Sequence, residues 1–216
     1  ALGTFQLTRD FQLELAANEP DVVDPVAGAF DEDGRMYVVE MRDYPYSAHP
    51  EDKSPKLGKP LAGKVRLLED TDGDGKMDRS TIFADKIEWP TAVACYKGGI
   101  YVIAAPHLYY FKDTDGDRVA DIRDIIFSGF DRHNVQGLVN NLIWGLDNRL
   151  HAAGGLNGGT ISYRGKELFT LGGGNLIRFN PVDERLEAWA QGSQFGHSFD
   201  DWGNRLASGR HIACST

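Results

Sequence analysis

The sequence predicts an all-β fold, a propeller assembled from four-stranded blades. Three observations support this prediction: a hairpin pattern that recurs along the chain, an Asp-rich stretch that occurs twice between apolar runs, and the weakness of any helical periodicity. Paired hairpins that repeat at a spacing of about fifty residues are typical of propeller blades. The repeats also divide the chain into its units.

The inner half of each unit is a hairpin with a tight polar turn. In the first unit an apolar run ends at Phe30, a turn covers residues 31–35, and a second apolar run begins at Met36. A Gly- or Asn-containing turn between two such runs favours a β-hairpin. Four hairpins are predicted on this pattern, over residues 26–39, 92–102, 142–152 and 198–207.

A second pair of strands follows each of the first three hairpins and completes a blade. A proline-rich, charged segment, residues 43–59, is predicted to be a long loop inserted into the first blade. Residues 1–216 are thus interpreted as one propeller domain with about three to four blades, the last represented by its opening hairpin. Because a propeller closes with about four to eight blades, we expect a fragment of a larger propeller; the alternative is that further chains complete the ring. The predicted outer pairs are 64–68 with 80–83, 108–112 with 124–127, and 174–179 with 186–190.

The two Asp-rich stretches are predicted to be calcium loops on equivalent outer hairpins. Aspartates at relative positions 1, 3, 5 and 9 place hard oxygen atoms around one point, and Ca²⁺ prefers such ligands. The first stretch is not an EF-hand, because Thr81 stands where an EF-hand has its bidentate Glu; the second has Arg118 in place of Gly75. The alternative is a solvated turn, since Asp and Gly are common in turns. The predicted ligands are Asp70, Asp72, Asp74 and Asp78 in the first loop and Asp113, Asp115, Asp117 and Asp121 in the second.

Composition argues against several classes of function. The formal net charge is −9 and no stripe of Lys and Arg is present, so a nucleic-acid partner is not expected. No apolar run approaches the length of a membrane span, so none is predicted. Cys95 and Cys214 match neither a zinc-binding nor a haem-attachment spacing. Calcium loops suit a compartment where millimolar calcium fills weak sites, so we expect a periplasmic or secreted protein.

Three residues at predicted strand ends have side chains suited to chemistry. His197 precedes the fourth inner strand, and an imidazole, with an ordinary pKa of about 6.5, can act as a general base near neutrality. Asp200 could orient that ring; alternatively, His197 satisfies a backbone carbonyl and Asp200 is a turn acid. Arg42 has the planar fork that binds carboxylates, or else it pairs internally with Glu40 or Asp43.

Aromatic residues fall into two groups. Trp144, Trp189 and Trp202 recur in or beside strands and are predicted to pack between blades. Tyr44 and Tyr46 lie on the inserted loop, where their rings would be exposed and able to stack on a sugar face.

Five segments of the chain carry a resemblance to a known family. In this order along the chain, they resemble the PQQ-dependent glucose/sorbosone dehydrogenase-like propellers, and within them the proteins called membrane-bound dehydrogenases in planctomycetes and related bacteria. The resemblance implies a quinoprotein that oxidises a sugar or related alcohol with PQQ and passes electrons to a c-type cytochrome domain or protein. The segments are residues 11–20, 31–45, 67–78, 134–148 and 196–203.

The same resemblance directs attention to particular residues. In soluble members of the family a histidine before one inner strand is the general base, and the matching position here is Gly137, preceded by Gln136. His133, four residues earlier, is the substitute that we expect at the same mouth. Gln136, Arg42 and His197 are the expected cofactor contacts, and the same three residues, with His133 and Asp200, are the catalytic candidates. The rival to a dehydrogenase is a non-catalytic, calcium-stabilised propeller that binds carbohydrate or a protein partner.

Overall fold

The computed structural model describes residues 2–47, 62–208 and 213–215. Within these residues the regular secondary structure consists of β-strands and two short 3₁₀ turns, Leu2–Thr4 and Val135–Gly137. No helix in this part of the chain is long and apolar enough to cross a membrane. The strands are β1 Pro25–Phe30, β2 Met36–Glu40, β3 Gly63–Glu69, β4 Arg79–Ile87, β5 Pro90–Tyr96, β6 Gly99–Ala104, β7 His107–Lys112, β8 Ile122–Phe130, β9 Asn140–Trp144, β10 Leu150–Ala153, β11 Gly159–Tyr163, β12 Lys166–Leu171, β13 Asn175–Asn180, β14 Arg185–Gln191, β15 His197–Phe199, β16 Arg205–Ala207 and β17 Ala213–Ser215.

The strands form the antiparallel blades that the sequence predicts. The first blade has the order β1-β2-β3-β4, and the third has the order β9-β10-β13-β14. The second blade contains β5-β6-β7-β8, and the fourth unit contains β15-β16-β17. The all-β propeller prediction is therefore confirmed. The fourth unit extends beyond the predicted hairpin, since β17 pairs with β16. The predicted loop 43–59 lies outside the described residues from residue 48 onward.

One hairpin departs from the predicted pattern. After β10, in the third blade, the chain forms β11 and β12, and β11 pairs with β8 at the outer edge of the second blade. The second sheet therefore has six strands, with the order β12-β11-β8-β7-β6-β5. Two glycines, Gly129 on β8 and Gly159 on β11, let the paired backbones approach closely.

Apolar residues fill the spaces between blades. The inner strands β1, β5 and β9 contact one another in sequence, and one cluster packs between the first and second blades around Phe83 and Phe111. A second cluster, around Phe127 and Phe179, packs between the second and third blades. The two rings meet edge to face with their centroids 5.4 Å apart.

The prediction that three tryptophans pack between blades is met only in part. The Trp144 ring lies 5.9 Å from that of Tyr96 in the second blade, and Arg205 of the fourth unit lies over the Trp189 ring, whereas Trp202 is an exposed turn residue. Trp144, Trp189 and Trp202 are exposed, Trp202 by 83%, whereas Trp89 is fully buried. Trp89 lies in the short link between β4 and β5, and its indole N–H donates to the Tyr46 carbonyl oxygen (3.0 Å). A hairpin turn such as that of Trp202 lies beyond the end of its sheet, so recurrence near strands does not imply burial.

The blades have two structurally distinct ends. The mouth end is where the inner strands begin, at residues 24–26, 90–91, 139–140 and 195–197, together with the connections between blades. The opposite end, here called the turn end, holds the inner hairpin turns and both Asp-rich loops, residues 70–78 and 113–121. In an antiparallel sheet successive connections alternate between the two ends, so residues on the Asp loops and on the mouth cannot share one site.

Candidate functional site

A groove of about 790 Å³ opens at the mouth end. Residues at the start of each inner strand contribute to it, together with the link after β2 and the link between β8 and β9. A concave, largely apolar site with a few polar groups is the usual form of a small-ligand site. The lining residues are Asp24, Pro25, Val26, Met41, Arg42, Tyr44, Thr91, Val135, Gln136, Leu138, Asn140 and Phe195.

Two links that are far apart in sequence meet at the groove. The Gln136 side-chain amide donates to the Tyr44 hydroxyl oxygen (3.3 Å). Gln136 is held by the 3₁₀ turn Val135–Gly137, in which the Asn134 side chain accepts a hydrogen bond from the Gln136 backbone N–H (3.0 Å). Tyr44 is half exposed, in agreement with its expected position on the surface of the inserted loop.

Of the predicted site residues, Arg42 and Gln136 line the groove. His133 is exposed on the same link as Gln136 but does not line the groove. We expected His133, Gln136 and His197 to lie together at the mouth. In the structure Gln136 lines the groove with Arg42, and neither histidine is among the lining residues. Gly137 is buried, and a Cβ placed there would lie 3.1 Å from the Leu156 Cβ, so this position carries a close-packed turn.

His197 is buried beneath the mouth rather than exposed on it. Its side chain packs in an aromatic group with His151 and Phe199, and its backbone N–H donates to the Asn141 side chain (2.7 Å). In the described part of the chain neither of its ring nitrogens has a hydrogen-bond partner. Burial, together with the nearby His151 and Arg205, lowers the pKa of His197 to about 4. The ring is therefore neutral near pH 7 and a weak base.

Asp200 does not orient His197. It lies in the β15–β16 turn, at the opposite end of the hairpin from His197. Its carboxylate accepts hydrogen bonds from the Asn204 side chain (2.9 Å) and from the backbone N–H groups of Asn204 and Trp202. These hydrogen bonds lower the pKa of Asp200, and the bond from the Asn204 side chain has the largest effect. Asp200 is therefore an acidic residue that stabilises its own turn, as the alternative interpretation of the sequence has it. His151 instead has the carboxylate partner, Asp147, at 2.9 Å.

A buried polar cluster lies behind the groove at the base of the inserted loop. The Arg132 guanidinium pairs with Glu88 (2.9 Å) and lies over the Trp89 ring. Ser47 donates to Glu88 (3.4 Å). Burial, reinforced by the charge of Glu88, raises the pKa of Asp43 to about 6. Asp43 therefore faces the interior, while its neighbour Arg42 faces the groove.

The two Asp loops have the same internal geometry. Asp70 accepts from the Gly73 and Gly75 backbone N–H groups (2.7 and 2.8 Å), and Asp113 accepts from the corresponding Gly116 and Arg118 (2.7 and 2.9 Å). Arg118 adopts the left-handed conformation, with φ 74°, where the first loop has a glycine. These backbone hydrogen bonds lower the pKa of Asp70, and the bond from Gly75 has the largest effect.

Carboxylate oxygen atoms converge in both loops. They lie within 4.8 Å of one another for Asp70, Asp72 and Asp78 in the first loop and for Asp113, Asp115 and Asp117 in the second. Asp74 instead pairs with Lys76 (3.0 Å), and Asp121 accepts from Thr114 (2.6 Å). The predicted ligands are thus brought together only in part, and the calcium assignment stays a prediction.

Several groove residues were not among the sequence-predicted candidates. Asp24, Thr91, Asn140 and Phe195 all stand at or just before the start of an inner strand. That shared position in the repeat was the available signal, because equivalent positions of successive blades meet at one end. Asn140 is fixed there by hydrogen bonds from its amide nitrogen to the Leu138 and Gln194 carbonyl oxygens (2.8 and 2.9 Å).

Comparisons with known proteins establish the fold and the family. A solved structure of luciferin-regenerating enzyme superposes with a TM-score of 0.50 at 13% sequence identity, covering 80% of this chain and 48% of that one. The chain thus spans about half the length of that structure, and at this identity the likeness shows the fold alone. A search of curated proteins finds no significant match. Residues 1–213 match the family described as Domain of unknown function (DUF7133), and the chain belongs to that family.

Proposed function

We propose that the chain binds a carbohydrate or a related polyol in the groove at the mouth end. Sugars combine apolar ring faces with hydroxyl groups at the ring edge. The groove combines exposed Phe195 and the apolar side chains of Val26 and Leu138 with the polar side chains of Gln136 and Asn140. Its volume of about 790 Å³ lies within the range of small-molecule sites.

The hydrogen bond between Gln136 and Tyr44 is the observation that carries this proposal. It joins two links that are 92 residues apart and places an amide and a phenol side by side at the groove. Both groups can donate to and accept from sugar hydroxyls, and the Tyr44 ring offers a face for stacking. Neither side chain is needed to fill a core, since both are exposed.

The proposal predicts that Gln136→Ala weakens carbohydrate binding. Loss of one groove hydrogen bond should raise Kd by roughly five- to tenfold. Isothermal titration against a panel of aldoses and polyols measures this change. Gln191→Ala, at an exposed position on β14 outside the groove, is the matched control and should bind like the parent protein. Equal affinities for both variants would contradict a role for the groove.

A quinoprotein-like dehydrogenase that oxidises a sugar or alcohol is the second proposal. Two segments that carry the family resemblance, 31–45 and 134–148, contribute Arg42, Tyr44, Gln136 and Asn140 to the groove. However, the described groove residues do not fit the tricarboxylate PQQ. They include one guanidinium, Arg42, and one carboxylate, Asp24, which would repel the quinone.

The dehydrogenase proposal therefore rests on the motifs. Its test is the protein supplied with PQQ, Ca²⁺ and a redox dye in place of the proposed cytochrome acceptor. Dye reduction with an aldose or polyol would support it. If no aldose or polyol of the panel gives dye reduction or a change in quinone absorbance, the dehydrogenase proposal is wrong.

Calcium at the Asp loops is proposed as a structural element of the exported protein, supported by the converging carboxylates of both loops. Bound Ca²⁺ would offset their repulsion, and a ligand at a hundred times its Kd stabilises a fold by about 2.7 kcal/mol per site. We therefore expect added Ca²⁺ to raise Tm by several degrees and a chelator to reverse the rise. In Asp72→Asn the rise should shrink, whereas in Asp33→Asn, at an exposed turn outside both loops, it should persist. If added Ca²⁺ does not change Tm, the calcium proposal is wrong and the loops are solvated turns.

A further inference from the structure

Arg42 is a groove cation that pairs with neither of its two candidate internal partners, Glu40 and Asp43. Glu40 is fully buried and accepts from Arg66 (3.1 Å) and from the Val23 backbone N–H (2.9 Å). Asp43 is buried at the base of the inserted loop, where the charge of Glu88 acts on it. Over the part of the chain that the structure describes, no carboxylate lies within 4 Å of the Arg42 guanidinium. The ion-pair alternative suggested by the sequence is therefore not what the structure shows.

An exposed guanidinium beside apolar groove walls is a site for an external anion. Its planar fork binds a carboxylate through two parallel hydrogen bonds. Met41 and Val26 line the same groove, and apolar walls beside a charged contact strengthen it relative to bulk solvent. Lysine side chains, which would suit a phosphate as point charges, are not among the described lining residues.

We infer that the groove takes a sugar acid, a monosaccharide whose ring carries one carboxylate, with that carboxylate bound by Arg42. This inference rests on the proposed carbohydrate function and names its substrate class. Asp24 lines the same groove and would repel a second carboxylate while accepting hydrogen bonds from sugar hydroxyls. The pair of opposite charges thus selects a ligand with one acidic end and one hydroxyl-rich end. Gln136 and Tyr44 meet the remaining hydroxyls.

The experiment is isothermal titration of the protein with glucuronate, glucose and lactate. We expect glucuronate to bind about ten to a hundred times more tightly than glucose, as a charge-assisted contact supplies, and lactate to bind more weakly than glucuronate. In Arg42→Gln the advantage of glucuronate over glucose should vanish while glucose binding persists. Arg185→Gln, at an exposed residue outside the groove, is the control and should keep the advantage.

The outcomes separate this inference from the function on which it rests. Equal binding of glucose and glucuronate, or an equal loss of both in Arg42→Gln, would overturn the carboxylate inference and leave the carbohydrate proposal standing. Lactate binding as tight as that of glucuronate would show that the carboxylate is recognised without the sugar and would overturn the substrate class. Failure of both sugars to bind would overturn the proposed function together with the inference.

Discussion

Acidification from pH 7 to pH 4 is expected to destabilise the fourth unit of the propeller through His197. The folded-state pKa of His197, about 4, lies below the ordinary value of about 6.5 that applies in the unfolded chain. The unfolded state therefore binds the proton first as the pH falls. The contribution of neutral His197 to the free energy of unfolding is fully present above about pH 6.5 and is lost progressively between pH 6.5 and pH 4. A difference of this size corresponds to roughly 3 kcal/mol.

The largest cause of the lowered pKa is burial of the ring, and the charged groups around it add to the effect. His151 faces it from β10, with a ring-centroid distance of 6.2 Å, and Phe199 packs against it at 5.5 Å from its own strand. Arg205, on β16, adds a further positive charge, since His151 and Arg205 both lower the pKa of His197. Asp147 is hydrogen-bonded to His151. A charged His197 would lie among these groups without water.

The measurement is the free energy of unfolding in urea at pH 7 and pH 4.5. His197→Phe keeps an aromatic ring in the cluster and cannot take up a proton, so its acid destabilisation should be smaller than that of the parent by about 2 kcal/mol or more. His133→Phe changes an exposed ring at the same end and should retain the parent's acid profile. An unchanged pH dependence in His197→Phe would show that other groups cause the acid loss.

The blades could be predicted from the sequence because their determinants are local. Each inner hairpin, such as β1–β2, has its turn and both apolar runs within one short segment, and the Asp loops connect strands that are adjacent in the chain. The pairing of β11 with β8 was not predictable in this way. It joins two blades, and the glycines that permit it, Gly129 and Gly159, lie far apart in the chain.

The candidate site could be predicted only in part for a related reason. Arg42 was recognised by residue type and by its position at a strand end, Gln136 was indicated by the family resemblance, and the fold brings both to the groove. His197 occupies a similar position along the chain, yet its ring turns into the space between the third blade and the fourth unit. Sequence shows where a residue lies along a strand, but burial depends on which neighbouring blade covers it.

The largest effect of a single methyl group is expected at Gly129, where β8 meets the added hairpin. Gly129 has φ +98°, and a Cβ built there would lie 1.9 Å from the Thr160 carbonyl oxygen. The contact is reciprocal, because a Cβ on Gly159 would lie 2.0 Å from the Gly129 carbonyl oxygen. Backbone cannot yield as a flexible side chain does, so Gly129→Ala must separate β11 from β8. Backbone strain and overpacking together should cost about 3 kcal/mol or more.

Gly165→Ala separates the two contributions to that cost. Gly165 lies in the turn of the same hairpin with φ +84°, and nothing lies within 4 Å of a Cβ placed there. It therefore reports backbone strain alone, about 1 kcal/mol. The free energy of unfolding in urea should be clearly lower for Gly129→Ala than for Gly165→Ala. Hydrogen exchange of the β11 amides should be faster in Gly129→Ala, while the amides of β5 and β6 stay protected. Equal losses in the two variants would mean that close backbone contact does not hold the hairpin on the second blade, and that its attachment depends on side chains such as Phe169 and Ile161, which pack into the core between the second and third blades.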